Sequence, residues 1–208
     1  MKKLKAFTLI EILIVIIVFC VGILAVLLWL SQTLRNKDYA MTQIKSAFFA
    51  REWIELIFNL RDANYHKELP WNCIFNYATI NPTKVYEENV NPFCDKLLEP
   101  GTILKISMWK EDKYLNTEVW ALQNDFEKDF EEFQIYLHTW SNNWFTYDYQ
   151  KDNGEKTWFA RYLKVEQVVT EAWDINDKLL KIESHVLYQR WTLTGEKVME
   201  TFIWNYEF

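Results

Sequence analysis

The chain has 208 residues, of which 50% are hydrophobic and 25% charged, and its formal net charge is −6. This length accommodates one membrane anchor and one modest soluble domain, not two large ones. The acidic balance excludes the uniformly basic footprint of a nucleic-acid-binding domain, so we infer no direct nucleic-acid site.

The first thirty residues combine a short basic leader with a long apolar segment. Lysine occupies positions 2, 3 and 5, and residues 12–30 (the apolar segment) are uncharged and almost wholly apolar. At about 1.5 Å per residue the apolar segment covers roughly 28 Å, which is enough for a bilayer core of about 30 Å. A signal peptide has a shorter apolar region and an Ala-x-Ala cleavage site. We therefore expect a retained span, with the leader in the cytoplasm and the carboxyl-terminal head outside it.

An acidic residue, Glu11, lies at the edge of the apolar segment, where a carboxylate costs several kcal/mol unless it is paired. The run Phe7-Thr8-Leu9-Ile10-Glu11, followed by an aliphatic helix, resembles the processing and assembly motif of type IV pilins and pseudopilins. The resemblance implies that a prepilin peptidase cuts between Ala6 and Phe7 and methylates the new amino terminus. It also implies that Glu11 pairs with the amino terminus of a neighbouring subunit. The family usually has Gly at the position of Ala6, and the alternative is an ordinary signal anchor.

The helix is expected to continue beyond the membrane, because residues 31–62 contain no Pro and no Gly. Apolar residues recur there at spacings near three, four and seven, which predicts a stripe that packs on the head. The residues of this stripe are Leu34, Met41, Ile44, Phe48, Ile54, Ile57 and Phe58.

The predicted organisation is a leader at residues 1–6, a helix at 7–64 with its membrane or filament part at 7–30, and a head at 65–208. Residues 50–62 add a second resemblance. Pseudopilin-like bacterial proteins have a similar Ala-Arg-Glu-Gly-Ile-Glu run followed by Asn-x-Arg-Asp, and Trp53 stands at their usual Gly.

Glycine is scarce and tryptophan abundant in this chain, with 4 Gly and 11 Trp. Average usage of about 7% would give roughly 15 Gly in a chain of this length. One interpretation is that some Trp positions, Trp53 among them, are UGA codons that the source organism reads as Gly. The alternative is an aromatic-rich head.

Residues 65–100 contain all four prolines and many asparagines, which is typical of loops and turns. This stretch also holds Cys73 and Cys94, the two cysteines outside the membrane segment. In an oxidising compartment we expect them to form a disulfide, with free thiols as the alternative. No Cys-x-x-Cys or paired His supports a metal site.

The head from residue 101 onwards is predicted to be an antiparallel sheet that packs on the helix, which gives an α+β, pilin-like fold. The predicted strands are 102–109, 117–122, 133–138, 157–169, 179–188 and 197–204. Alternation in the fifth strand predicts one apolar face and one wet face, with His185 on the wet face. Thr194-Gly195-Glu196 is predicted to be the hairpin turn before the last strand.

Catalytic chemistry has no signal in the head, because neither a Ser-His-Asp order nor a phosphate-binding Gly loop occurs. We therefore expect no catalytic residue, no cofactor and no metal. The acidic run at residues 125–132 is interpreted as a solvated loop or helix face with Phe126, Phe130 and Phe133 buried. Its alternative is a calcium site, as in some pseudopilins, although Asp152-Asn153-Gly154 lacks the other oxygen ligands of a calcium loop.

The resemblance implies a structural subunit of a type IV pilus or type II secretion-like pseudopilus. Residues 200–206 look like the closing strand of minor pseudopilins. The implied partners are other subunits, the prepilin peptidase, the inner-membrane assembly platform and membrane lipid. One alternative is a single-span membrane protein whose head binds a ligand and never assembles. Another is a DNA-uptake pseudopilus subunit.

Overall fold

A long helix and an antiparallel sheet make up the α+β fold in this computed structural model. The structure describes residues 9–66, 68–74, 96–108, 115–139, 145–149, 151, 154–169, 175–190 and 193–205. The helix, α1, runs from Leu9 to His66. The chain forms two compact units that divide within this helix, between Thr42 and Gln43.

Helix α1 ends two residues beyond the predicted boundary, in a turn closed by backbone hydrogen bonds. Glu68 N donates to Tyr65 O at 3.1 Å, and Leu69 N donates to Asn64 O at 2.9 Å. These two hydrogen bonds form a Schellman motif, which requires a left-handed residue just after the helix cap. Glu68 occupies that position with φ of 56°. Glycine usually supplies that conformation, so this helix end has no glycine signal in the sequence.

In the part of the chain that the structure describes, the second unit contains a short helix, α2 (Phe126–Glu132), and nine strands. The strands are β1 (Cys73–Ile74), β2 (Lys96–Leu97), β3 (Ile103–Met108), β4 (Leu115–Trp120), β5 (Gln134–Thr139), β6 (Phe145–Asp148), β7 (Glu155–Val169), β8 (Ile175–Arg190) and β9 (Leu193–Trp204). Strands β1 and β2 form a two-stranded sheet, and the other seven form one sheet. Every recorded strand pair is antiparallel.

Strand β7 is the centre of the large sheet. One of its edges pairs with β8, which in turn pairs with β9. The opposite edge is shared by β5, which pairs around Ala160, and by β3, which pairs at Leu163 and Lys164. Strands β6 and β4 pair with β5 and β3. The long strands β7 to β9 therefore form the surface on which the helix packs.

The core lies between the sheet and the part of α1 that belongs to the second unit. Trp53, Ile57 and Leu60 of α1 pack in one cluster with Leu163 of β7 and Ile182 of β8. Fully burying an aliphatic side chain of this size contributes about 1.5–3 kcal/mol. The predicted packing of the helix on an antiparallel sheet is confirmed.

The predicted helix stripe is wrong in its first half. Ile57 is buried, but Leu34, Met41, Ile44 and Phe48 are exposed. The buried side of α1 in the second unit instead carries Phe49, Ala50, Trp53, Ile57 and Leu60. Helix α1 is apolar on more than one side, and periodicity alone does not show which side meets the sheet.

The predicted hairpin turn is also wrong, because Thr194, Gly195 and Glu196 lie inside β9. They pair with Gln189, Tyr188 and Leu187, and the last pair of the ladder is Arg190 with Leu193. The ladder therefore continues past the predicted turn to Arg190 and Leu193, and residues 191–192 lie outside the described residues. Gly195 allows the backbone of β9 to lie close to the ring of Tyr188, because a Cβ at position 195 would collide with that ring.

Phe48 and Phe49 provide a matched test of which side of α1 is buried. Phe49 is 9% exposed and its ring meets those of Tyr147 and Phe159, whereas Phe48 is 66% exposed. We expect Phe49→Ala to lower the free energy of unfolding by about 3–5 kcal/mol. Phe48→Ala should change it by no more than about 0.5 kcal/mol. Urea unfolding of the full chain in detergent measures both values, and equal losses would contradict this packing.

Candidate functional site

The helix of the first unit contains an apolar stretch that the described part of the chain does not cover. Its most apolar 18-residue window has a mean hydropathy of 3.3 and is 0% buried, and α1 is long and apolar enough to cross a membrane by length and composition. Large side chains such as Phe19 and Trp29 are exposed. A helix that is apolar all round needs lipid or other helices around it, since exposing it to water costs about 25 cal/mol per Å².

Glu11 lies in the first turn of α1 as described. It is the charged residue within the run from Leu9 to Leu30. A carboxylate near a helix amino terminus gains about 0.3–1 kcal/mol from the helix dipole, which is less than the several kcal/mol that burial in lipid costs. The two predicted processing residues, Ala6 and Phe7, lie outside the described residues, so the processing site stays a prediction.

Cys73 is disulfide-bonded, and Cys20 is a free, exposed cysteine. The pairing of Cys73 with Cys94 stays a prediction, because Cys94 lies outside the described residues. Asn64, at the end of α1, fixes the chain around Cys73: its Nδ2 donates to Trp71 O at 3.2 Å and to Cys73 O at 2.8 Å. The chain at Trp71 and Cys73 is therefore anchored to the helix through a buried amide.

An ion pair that the sequence analysis missed joins the helix to the sheet. The Arg161 Nη1 atom of β7 donates to Glu52 Oε2 of α1 at 2.7 Å, and the Arg161 side chain is only 3% exposed. Its guanidinium also lies 4.8 Å from the ring centroid of Trp53. Strand alternation could have found this residue, since Arg161 has the parity of the buried residues Phe159 and Leu163.

Trp53 fills the centre of the helix–sheet contact. It is fully buried, but its Nε1 atom has no hydrogen-bond partner. A buried donor without a hydrogen-bond partner lowers the free energy of unfolding by about 1–3 kcal/mol. The ring of Trp53 therefore packs well, but its buried N–H group is destabilising. The interpretation of some Trp positions as Gly codons stays a prediction.

The acidic run forms the capped helix α2. Asp125 is its N-cap and accepts a hydrogen bond from Glu127 N at 3.1 Å, as expected for a carboxylate at a helix start. Glu132 pairs with Lys105 of β3 at 2.8 Å. Phe130 and Phe133 are buried as predicted, but Phe126 is 37% exposed.

No metal-binding group emerges from this run. In the described part of the chain, no group of three or more His, Cys, Asp and Glu could hold a metal ion. The carboxylates of Asp125 and Glu132 already serve the helix cap and the Lys105 ion pair.

The predicted wet face of β8 is instead a set of paired charges, which we call the charged face. Glu183 is buried, and the His185 side chain is only 12% exposed. The charged face comprises Tyr162, Lys164 and Glu166 of β7, Lys181, Glu183 and His185 of β8, and Glu196 and Glu200 of β9. Cross-strand neighbours cover Glu183 and His185, whereas Glu200 at the edge is 53% exposed. Alternation therefore predicted the polarity of this face but not the burial of its two central residues.

His185 is the centre of the charged face. Its two ring nitrogens contact Glu196 and Glu183, the latter at 3.2 Å, and its ring stacks on Tyr162 with centroids 4.7 Å apart. The hydrogen bond with His185 is the main cause that lowers the pKa of Glu196. Burial acts to raise the pKa of Glu183, but hydrogen bonds with Lys181 and His185 outweigh it, so this pKa is also lowered.

A family model matches the amino-terminal end of the chain. Residues 1–27 match the prokaryotic N-terminal methylation motif, which covers the leader, the predicted cut site and most of the apolar segment. No curated protein and no solved structure shows significant similarity to this chain. The likeness therefore concerns the amino-terminal segment and not the head.

The lowered pKa values of Glu183 and Glu196 predict how stability depends on pH. A carboxyl whose folded pKa lies below its unfolded value of about 4.3 stabilises the fold above that pH. This contribution is lost as the pH falls through the folded pKa. As the pH is lowered below about 4.3, we expect the urea concentration at the unfolding midpoint of the full chain in detergent to decrease. This decrease should be less steep in Glu196→Gln. The control is Glu131→Gln, which removes an exposed carboxylate of α2. The same dependence of the urea midpoint on pH in the unsubstituted protein, Glu196→Gln and Glu131→Gln would contradict the role of Glu196.

Proposed function

We propose that this chain, whose residues 1–27 carry the prepilin-type signal of type IV pilins and pseudopilins, is a structural subunit of a type IV pilus or type II secretion-like pseudopilus. The observation that carries the proposal is the uncovered apolar helix that continues directly from this signal. A helix of this kind anchors the precursor in the membrane and then packs with other helices in a filament. The α+β head, in which the helix lies on an antiparallel sheet, agrees with a pilin-like subunit.

Processing is proposed to occur between Ala6 and Phe7, by a prepilin peptidase that also methylates the new amino terminus. The leader carries Lys2, Lys3 and Lys5, and basic residues flanking a span are retained in the cytoplasm. This orientation places the head outside the cytoplasm, where the disulfide of Cys73 is stable. The precursor is thus a single-span protein of the inner membrane, and its mature form enters the filament at an assembly platform.

Glu11 is proposed to set the register between neighbouring subunits. A buried carboxylate and a buried ammonium are each unfavourable alone, and the loss of one partner of such a pair costs about 3–5 kcal/mol. The cut before Phe7 creates an ammonium four residues from Glu11 in the chain. Pairing with the ammonium of a neighbouring copy neutralises both charges and fixes the stagger of the two helices.

Among the types of filament subunit, the features of this chain favour a minor pseudopilin. The supporting features are its length, the disulfide at Cys73, and the resemblance of residues 200–206 to the closing strand of minor pseudopilins. A DNA-uptake pseudopilus would use the same assembly with a different cargo.

The amino-terminal mass of the mature protein tests the processing step. We expect the chain purified from membranes to begin with N-methyl-Phe7. Ala6→Trp should leave the leader attached, because a bulky residue would replace the small one at the cut. An intact Met1 in the unsubstituted protein, or a cut after the apolar segment, would favour the membrane-anchored binding protein over the filament subunit.

Substitutions of Glu11 test its assembly role. Glu11→Gln keeps the size of the side chain and removes its charge, so membrane insertion should persist while incorporation into sheared filaments falls at least about tenfold. Glu11→Asp should retain more incorporation than Glu11→Gln. The exposed carboxylate Glu127 of the head serves as control, and Glu127→Gln should assemble normally. Filament yields for Glu11→Gln that equal those of the unsubstituted protein would refute the pairing.

A further inference from the structure

Strand β9 forms one edge of the large sheet. In the described part of the chain it pairs with β8 alone, through twelve consecutive residue pairs from Leu179 with Trp204 to Arg190 with Leu193. Natural proteins usually protect such an edge with a short strand, a bulge or a proline. Strand β9 has 12 residues, no register shift and no proline. It is therefore a long, regular edge to which a further strand can add.

The backbone groups that face away from β8 belong to alternate residues. Asn205 N donates to Lys178 O at 3.0 Å, which continues the β8–β9 ladder by one pair. In an antiparallel ladder, hydrogen-bonded pairs alternate with pairs that are not hydrogen-bonded. The odd-numbered residues of β9 therefore bond to β8, and the even-numbered residues direct their N–H and C=O groups outwards. The even-numbered residues in the middle of this strand, which we call the β9 edge, are Glu196, Val198, Glu200 and Phe202.

The outward backbone groups of the β9 edge are available to a partner. Within the described ranges, these groups donate and accept no hydrogen bond. A backbone N–H or C=O group that a partner covers must be paired, because an unpaired buried group is unfavourable. A polypeptide in extended conformation presents matching groups at the same spacing, so the β9 edge is suited to a strand and not to a helix.

The side chains of the β9 edge alternate between apolar and acidic positions. Val198 is 38% exposed and Phe202 is 46% exposed. The carboxylate of Glu200 is exposed although it pairs with Lys181 at 3.2 Å, and the Glu196 side chain is 39% exposed. A carboxylate has about four acceptor positions, so both carboxylates can accept a further hydrogen bond from a partner.

These four positions specify the sequence pattern of the partner. Side chains directly opposite each other on one face of two paired strands interact, and opposite charges or two large apolar groups are favourable there. An antiparallel partner therefore needs apolar residues opposite Phe202 and Val198, and basic residues opposite Glu200 and Glu196. Because residues of one face are two positions apart, the pattern is apolar, any, basic, any, apolar, any, basic.

We propose that the β9 edge binds an extended strand of a different polypeptide that has this alternating apolar and basic pattern. The backbone groups supply affinity and the alternate side chains supply specificity, as in other cases of strand addition. The inference goes beyond the proposed filament function, because it concerns the sheet of the head and not the apolar helix.

A second copy of β9 is a poorer match than such a strand. Only its even-numbered residues direct their backbone groups outwards, so they would lie opposite the even-numbered residues of the first copy. None of the even-numbered residues from 194 to 204 is basic. Two copies therefore bring four carboxylates to one contact without a new cation to pair with them.

Binding of synthetic peptides to the full chain in detergent tests the chemistry of the partner. The probe is fluorescein-labelled Thr-Val-Thr-Lys-Thr-Ile-Thr-Arg-Thr, and fluorescence anisotropy measures its Kd. The first control peptide has N-methyl groups on Lys and Ile, which removes the two donors that face Glu200 and Val198. The second has Glu in place of both Lys and Arg. We expect the probe to bind at least about tenfold more tightly than either control, and equal Kd values for the probe and the N-methylated peptide would overturn strand addition.

Substitutions at position 198 test the location of the site. Val198→Pro removes an N–H group that points away from β8, and proline is tolerated on an edge strand when that side is open. Val198→Ala is the matched control, because it shortens the side chain but keeps the N–H group. We expect the Kd of the probe to rise at least about tenfold in Val198→Pro and no more than about threefold in Val198→Ala. An unchanged Kd in Val198→Pro would overturn the proposal.

A charge exchange at position 200 decides the question even if Val198→Pro does not fold. Glu200→Lys changes an exposed side chain, so the fold should persist, and urea unfolding checks this. This variant should bind a probe with Glu in place of Lys more tightly than the original probe, which reverses the preference of the unsubstituted chain. An unchanged preference would overturn the proposed pairing. Dimers of the unsubstituted chain that Val198→Pro abolishes would assign the β9 edge to a second copy and overturn the different partner.

Discussion

The structure depends on one constraint, an uncharged helix surface that the described residues leave uncovered. Transfer of that surface from water is favourable by about 25 cal/mol per Å², so lipid or other helices must surround it. Glu11 adds a charge at the edge of this surface, where burying a carboxylate in lipid costs several kcal/mol unless it is paired. The head depends on the same helix, since Trp53 and Ile57 of α1 complete its core.

The sequence alone predicts an element correctly where a local pattern is compatible with one structure only. The apolar segment predicts a membrane helix from its length alone, and alternation located most of the large sheet. Glycine chemistry was less informative. The sequence predicts Gly195 as a turn residue, but in the structure Gly195 lies within the β8–β9 ladder and leaves space for the ring of Tyr188. A glycine that permits close packing and a glycine that permits a turn have the same sequence signal.

The charges inside the head could not be predicted, because they pair across long distances in the chain. Glu52 and Arg161 are 109 residues apart in sequence, yet they form one ion pair at 2.7 Å. His185 was expected to be wet, but Glu196 of β9 and Tyr162 of β7 enclose it. Periodicity assigns a side chain to a face, and only the register of neighbouring strands decides whether that face is covered.

The helix stripe shows why a helix with two kinds of surroundings is harder to interpret than the helix of an ordinary globular domain. Consecutive residues on a helix are separated by about 100°, so Phe48 and Phe49 point to different surroundings although both are apolar. One aromatic packs on β6 and β7 and the other is open. A helix with a single interface needs one apolar side, whereas a helix that packs on a sheet and also meets lipid or another helix needs two. The apolar residues that the sheet does not use are therefore the ones that need lipid or another helix around them.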